Sequence, residues 1–215
     1  MPIYNEAGCI EKVSHSWLAL LDCFPHGKFF IVDDGSRDNS GVILEQIAAS
    51  DPRLIVIHQT NQGHGAALVK GYRTALSEHA DWIFQVDSDD QFEPSDFWKL
   101  WEKRDHSLIV LGFRQERHDA LHRLIITRLL RLFNLFVFQV WIKDVNIPYR
   151  LLRADFCEEL LKQLPPEMLI PNIFLSVLAS RALRSLQEVP VTHRERATGQ
   201  VSAFSGSKCC SPAVG

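Results

Sequence analysis

Asp81-Trp-Ile-Phe-Gln-Val-Asp-Ser-Asp-Asp-Gln91 sets the reading of this chain. Trp82 to Val86 is an apolar run of strand length, built from aromatic and β-branched residues, and Asp87, Asp89, Asp90 and Gln91 follow it at once. A buried strand thus delivers acids to its own carboxyl end, where open α/β sheets form their ligand crevice. Asp87, Asp89 and Gln91 fall on alternate positions, so extended backbone there would turn all three to one side. Two carboxylates and an amide carbonyl form an oxygen-only set that suits Mg²⁺ or Mn²⁺ and disfavours zinc. The expectation is a divalent-metal site that holds a diphosphate.

Working outward, the same pattern recurs: Phe29 to Val32 is an apolar strand that ends in Asp33-Asp34-Gly35-Ser36. Before it, Ile10, Val13, Trp17, Leu20 and Leu21 recur at helical spacing over Glu6 to Leu21, while Met1 to Asn5 reads as the tail of a strand. Val42 to Ile47 supply a second helix face, Asp51-Pro52 breaks it, and Leu54 to Ile57 form a third strand. Asn61-Gln-Gly-His-Gly leads into a helix from about Ala66 to Ser77, and Glu93-Pro94-Ser95-Asp96 opens another that buries Phe97, Leu100 and Trp101. Leu108 to Leu111 is a fifth strand, ended by Gly112. Strands alternating with helices at such short intervals predict a three-layer α/β fold with a mostly parallel sheet and right-handed crossovers.

After Gly112 the rhythm changes. Residues 113 to 143 set Arg114, Arg117, Arg123, Arg128, Arg131 and Lys143 among Leu, Ile, Phe, Val and Trp, which predicts an appended basic amphipathic helical segment. Asp144 to Leu152 reads as a turn and a returning strand, Phe156 to Leu164 and Ile173 to Leu183 as helices, and Leu186 to Val191 as a last short strand. The expected organisation is one domain over residues 1–202, with a nucleotide-binding part (1–112) and an acceptor-side part (113–202), and a loose tail at 203–215.

Composition narrows the class. With 215 residues, 46% of them hydrophobic, the chain has enough to bury a full core, and a formal charge of -3 gives no reason to expect nucleic acid as partner. Five scattered cysteines show neither metal spacing nor a disulfide framework and read as reduced thiols, with Cys209 and Cys210 spare in the tail. Glu6 and Glu11 interrupt any apolar start, and no apolar stretch reaches the roughly 18 residues that span a bilayer. The nearest, Leu124 to Ile142, carries Arg128 and Arg131, which suits a helix lying on a membrane surface. The expected location is the cytoplasm, peripheral to the cytoplasmic face of the membrane.

Taken in order, these motifs resemble glycosyltransferase family 2, the inverting nucleotide-sugar transferases, and within it the polyprenyl-phosphate sugar transferases. Pro2-Ile3-Tyr4-Asn5-Glu6, Asp33-Asp34-Gly35-Ser36, Asn61 to Gly71, Asp87-x-Asp89-x-Gln91, Gly112-x-Arg114 with Arg128, and Asp144 to Arg150 all fall in the family's sequence over roughly residues 2–200. The resemblance implies a GT-A type fold and a metal-dependent enzyme. Its donor would be a GDP-, UDP- or dTDP-sugar and its expected acceptor a polyprenyl phosphate, with a soluble or glycan hydroxyl as the alternative. Donor contacts fall to Pro2, Tyr4, Asn5, Glu6, Asp33, Asp34, Gly63, Gly65 and Asp87. Asp33 and Asp34 would accept from base and ribose, and Gly63 and Gly65 would let backbone approach the nucleotide. Asp87, Asp89 and Gln91 would hold Mg²⁺ or Mn²⁺, and Arg114 and Arg128 would bind phosphate. The catalytic set the resemblance implies is Asp89, Arg114, Arg128 and Asp144, and if the acceptor is a hydroxyl the base would be either Asp119 or Asp144.

His64 reads as a loop histidine or as a contact to donor phosphate, and Trp17, Trp98 and Trp101 as packing residues. Members of the family carry a whole first strand ahead of the Pro2 motif, whereas here Met1 precedes it directly. That predicts a lost sheet neighbour, an incomplete base pocket and an exposed edge. A nucleotidyltransferase would announce a Gly-rich, Arg-containing loop where Asn5-Glu6-Ala7-Gly8 stands, and a two-metal phosphatase would need His-rich clusters. A non-catalytic nucleotide-sugar-binding relic is the remaining rival.

Overall fold

The computed structural model describes residues 1–114, 142–165, 168–181 and 186–194. Arg128, Asp119, the tail and nearly all of the basic segment 113–143 lie outside these residues. Among the described residues seven strands form two sheets. In the first, β1 (Pro2–Ile3), β2 (Phe29–Asp33) and β3 (Leu54–His58) lie parallel in the order β1-β2-β3, with Ile3, Asp33 and His58 level at their carboxyl ends. In the second, the order is β4 (Trp82–Gln85), β6 (Arg150–Arg153), β5 (Ile109–Arg114) and β7 (Leu186–Val191). There β6 runs antiparallel to both neighbours while β5 and β7 are parallel. The expected α/β architecture stands, with its sheet divided in two and one reversed strand.

Among the described residues six α-helices cover the sheets: α1 (Ile10–Leu20), α2 (Ser40–Ser50), α3 (His64–Ser77), α4 (Phe97–Trp101), α5 (Ala154–Lys162) and α6 (Pro171–Arg181). Proline stands at the first position of α6, where its missing N–H is no loss. Helix α1 ties the two cores together because its apolar stripe is wide. Ile10 and Leu18 pack with Ile31, Leu44 and Leu54, whereas Val13 and Trp17 pack into the larger core beneath β4 to β7. The latter core is dense with aromatic rings: Phe84 meets Trp17 at 5.4 Å, Phe97 at 5.1 Å and Tyr149 at 4.8 Å. Ile109, Val110 and Leu111 are fully buried, and each stabilises the fold by roughly 1.5–3 kcal/mol.

Several sequence expectations shift. Gly112 does not end the fifth strand, which continues to Arg114. A Cβ there would lie 2.9 Å from Val191 and 3.2 Å from Ile147, so the residue is small to let β7 come close. Trp98 stands 36% exposed, stacked on Phe24, while Trp17 is buried as expected. The polar Gln85 sits inside β4 because the buried Tyr72 hydroxyl donates to its Oε1 at 2.8 Å.

Candidate active site

The loops that leave the parallel strands are laced to each other. Asn5 adopts φ 56°, a left-handed turn that asparagine tolerates, and its amide donates to Ser36 Oγ while its Oδ1 accepts from Arg37 N. Glu6 N donates to Ser40 Oγ at 2.8 Å and Ala7 N to Asp38 at 3.0 Å. Pro2 is buried in register with Val32, and Tyr4 is half-buried. The Pro2–Glu6 motif and the Asp33–Ser36 motif are therefore two walls of one loop cluster.

Asp33 and Asp34 are both buried, and their carboxylates already serve the fold. Asp33 accepts from Ser36 N at 2.9 Å and faces His58 Nδ1 at 3.0 Å, while His58 Nε2 lies 2.8 Å from Glu45. The Glu45 bond and then the Asp33 bond hold the His58 pKa above its ordinary value against the opposing effect of burial. Asp34 accepts from Gln59 Nε2, Gln62 N and Gly63 N, each at 2.8 Å. Each carboxylate oxygen offers two lone pairs, so among the described residues Asp34 Oδ2 accepts one bond and keeps a second acceptor position. The segment Gln59–Gly63 is wrapped onto this carboxylate, and Gly63 makes the turn into α3 at φ 92°.

Gly65 is buried against the chain itself. A Cβ on it would stand 2.3 Å from Met168 O and 2.7 Å from Leu169 O. It is the chain's own backbone that approaches this glycine.

His64 carries the cluster across to the second sheet. Its Nε2 lies 3.3 Å from Asp87 Oδ1 at the end of β4. Desolvation works against charge on His64 but is outweighed by the Asp87 carboxylate, so its pKa is raised. Cys9 Sγ reaches Ser88 O at 3.4 Å, and Lys12 Nζ pairs with Asp90 at 2.5 Å. Asp90 takes φ 56°, so residues 88–90 bend and the extended run expected for Asp87-x-Asp89-x-Gln91 does not form. Gln91 N lies 3.4 Å from Asp89 Oδ1, while Gln91 Nε2 donates to Arg194 O and Arg194 N returns a bond to Gln91 O. Only the side-chain carbonyl of Gln91 is left to face an ion.

Arg114, at the end of β5, lies 3.6 Å from the buried Asp144 and 5.9 Å over the Phe92 ring. Its Nε is buried without a hydrogen-bond partner among the described residues. Arg150 is fully buried and donates to Ile147 O and Asn172 O, so the last residue of the expected acceptor motif is a structural cation. Burial lowers its pKa, opposed by Tyr72, Asp87 and Asp144.

A continuous line therefore runs from Asp34 through Gly63 and His64 to Asp87, with Gln91 and Phe92 leading on to Arg114 and Asp144. No group of three His, Cys, Asp or Glu converges on one point among the described residues. By donor chemistry Asp87 and Asp89 are carboxylates of the type a Mg²⁺-type ion takes, one or two at a time, with substrate phosphates and water completing its shell. Sequence reasoning missed Arg194, Lys12 and Cys9, whose partners lie 78 to 103 residues away.

An α/β fold that gathers carboxylates and a Gly-Xaa-Gly turn where its parallel strands end is the build of an enzyme acting on a nucleotide-linked substrate. Residues 1–161 match the family model described as Glycosyl transferase family 2, and the chain belongs to that family. It is a glycosyltransferase that uses a nucleotide-sugar donor. The Polyprenol monophosphomannose synthase of Mycolicibacterium smegmatis is 29% identical over 220 residues, which cover 96% of this chain and 80% of that protein. The Undecaprenyl-phosphate mannosyltransferase of Micrococcus luteus is 27% identical, over 96% of this chain and 86% of its own length. Among solved structures, glucosyl-3-phosphoglycerate synthase from Mycobacterium tuberculosis, in complex with Mn²⁺, UDP-glucose and glycerol 3-phosphate, aligns with TM-score 0.63 and 22% identity. That alignment covers 91% of this chain and 70% of the other and establishes the shared fold.

Proposed function

We propose that the protein transfers a sugar, with inversion, from a nucleoside diphosphate to a polyprenyl phosphate, using Mg²⁺ or Mn²⁺. The observation that carries the acceptor is the likeness over 96% of the chain to two enzymes whose names place their sugar on polyprenol or undecaprenyl phosphate. The line of bonds from Asp34 through Gly63 and His64 to Asp87 supports the donor side, because it joins the carboxylate assigned here to the nucleoside to the one assigned to the metal.

In this reading the remaining acceptor site of Asp34, with Asp33, Tyr4 and the Pro2–Glu6 turn, receives the nucleoside. Asp87, Asp89 and the Gln91 carbonyl hold the divalent ion, which when bound neutralises charge on the diphosphate. Arg114, steadied by Asp144, offers its fork to phosphate oxygens, and Arg128 is assigned to the same task. The acceptor phosphate oxygen attacks the anomeric carbon in line. A new C–O bond forms, the bond to the diphosphate breaks, and the electron pair leaves with the nucleoside diphosphate. A phosphate oxygen is already ionised near neutral pH, so no strong base is needed and Asp144 serves to position Arg114. The basic segment 113–143 would lie on the membrane surface that presents the acceptor. Among the described residues no helix is long and apolar enough to cross a membrane.

The test is a turnover assay with GDP-, UDP- and dTDP-sugars, Mn²⁺ and a short-chain polyprenyl phosphate, reading lipid-linked sugar by mass spectrometry and anomeric configuration by NMR. An inverted lipid-linked product supports the proposal. Transfer only to soluble sugars or glycans would replace the acceptor, and nucleotide-sugar binding without transfer to any acceptor would overturn it.

A further inference from the structure

His58 closes β3, in register with Asp33 at the end of β2. Its two ring nitrogens meet two carboxylates: Nδ1 lies 3.0 Å from Asp33 Oδ2, and Nε2 lies 2.8 Å from Glu45 Oε1 on α2. An ionised carboxylate only accepts, whereas a neutral imidazole carries one N–H and one lone pair. Both contacts are therefore hydrogen bonds only when the ring is the doubly protonated imidazolium. In a neutral ring one of them would set a lone pair against a carboxylate oxygen. Gly41, the second residue of α2, lets the helix come this close, because a Cβ there would stand 3.2 Å from Asp33 Oδ2 and 3.3 Å from His58 Cε1.

The two carboxylates are unequal partners. Asp33 is 4% exposed, and its Oδ1 already accepts from Ser36 N, whereas the Glu45 side chain is 59% exposed and can turn to water. Burial makes Asp33 depend on its neighbours for both its orientation and its charge. The charged groups that face the ring are Asp33 from β2 and Glu45 from α2. Asp38 borders the same hollow, but its carboxylate accepts from Ala7 N, Ser40 N and Ser40 Oγ. The imidazolium is thus the counter-charge to a cluster of three acids that a negatively charged diphosphate must approach. The raised pKa of His58, with the Glu45 bond as its largest cause, agrees with this arrangement. The bridge is complete at low pH and is lost as pH rises through that raised value. The neutral ring then has one N–H for two acceptors, so Asp33 Oδ2 is held in only part of the molecules.

We propose that His58, steadied by Glu45, is a positioning residue that holds Asp33 for the nucleoside of the donor, so that donor affinity falls as rising pH breaks the bridge. The inference rests on the assignment of Asp33 to the nucleoside. Calorimetry with UDP-glucose, GDP-mannose and dTDP-glucose, each with Mg²⁺, tests it from about pH 5.5 to about pH 9. Wild-type affinity should fall by about fivefold or more across that range. Glu45→Gln offers an amide N–H to Nε2 of a neutral ring, which leaves the Nδ1 proton on Asp33 at every pH. Its affinity should stay at the acid-side level, whereas His58→Leu should bind weakly throughout. Any fall that belongs to His64 persists in both variants, so the difference between curves is the readout. Parallel curves for wild type and Glu45→Gln refute the inference, and because Glu45 is exposed that variant decides the matter even if His58→Leu fails to fold. By NMR both His58 ring nitrogens should be protonated at about pH 6, and bound nucleotide sugar should raise the pH at which the ring titrates; an unmoved titration overturns the coupling. Asp33→Asn separates the two levels. Unchanged affinity there, or binding of none of the three sugars, removes the nucleoside assignment and the inference with it, whereas lost affinity with parallel curves removes the inference alone.

Discussion

Replacing Asp34 by alanine isolates what the buried carboxylate does for the site before any ligand arrives. Three donors lose their acceptor together: Gln59 Nε2, Gln62 N and Gly63 N, each 2.8 Å away. The Gln59 side chain can turn to water, so its loss counts little. The two backbone N–H groups cannot, and a donor stranded in this way costs about 1–3 kcal/mol. Because the loop is only part-buried, the sum expected for Asp34→Ala is about 2–5 kcal/mol, a fall in Tm of about 5–15 °C for a chain of this size. Asp34→Asn keeps one oxygen but turns an NH₂ toward a donor, so it should fall between wild type and alanine. Urea unfolding gives the free energies, and hydrogen exchange at Gln62 and Gly63 locates the damage. If Asp34→Ala unfolded within about 0.5 kcal/mol of wild type and both amides kept their protection, the claim that this carboxylate organises the loop would be wrong.

Gly65→Ala forces a methyl group to within 2.3 Å of Met168 O and should cost about 1–3 kcal/mol, read as a lowered Tm; an unchanged Tm would deny the close approach. Since the His58 pKa is raised above the ordinary 6.5, its contribution is complete below that value and is lost as pH rises through the raised one. A His58→Gln variant should therefore show a flatter Tm–pH curve above 6.5, and parallel curves would refute the linkage. Asp89→Ala should lower sugar transfer by about a hundredfold or more and remove the Mn²⁺ dependence of nucleotide binding in calorimetry. Full Mn²⁺-dependent binding in that variant would dismiss Asp89 as a ligand.

The periodicity of apolar residues made most of the fold legible: strands at 29–32, 54–57 and 82–86 form within a residue of their expected bounds, and the one expected at 108–111 forms but runs on to Arg114. The reversal of β6 was not legible, because Arg150–Arg153 carries no local mark of direction and takes it from β4 and β5. At the site, residue types were readable and their commitments were not. Asp34 looks like a ligand group in the sequence, yet three of its four lone pairs are taken by a segment some 25 to 29 residues later. Gln91 was expected to face an ion with Asp87 and Asp89, and its amide nitrogen is claimed by Arg194, 103 positions away. Gly65 was placed beside the nucleotide because a glycine permits approach, and the sequence cannot say which backbone does the approaching.

Three tryptophans, Trp17, Trp82 and Trp101, border the opening between the sheets. Indole emission shifts to the blue when water leaves its surroundings, so this enzyme carries an optical gauge of how wet its own interior is. A titration followed by that emission, with no label attached, would report water entering or leaving the space beside Trp17, Trp82 and Trp101.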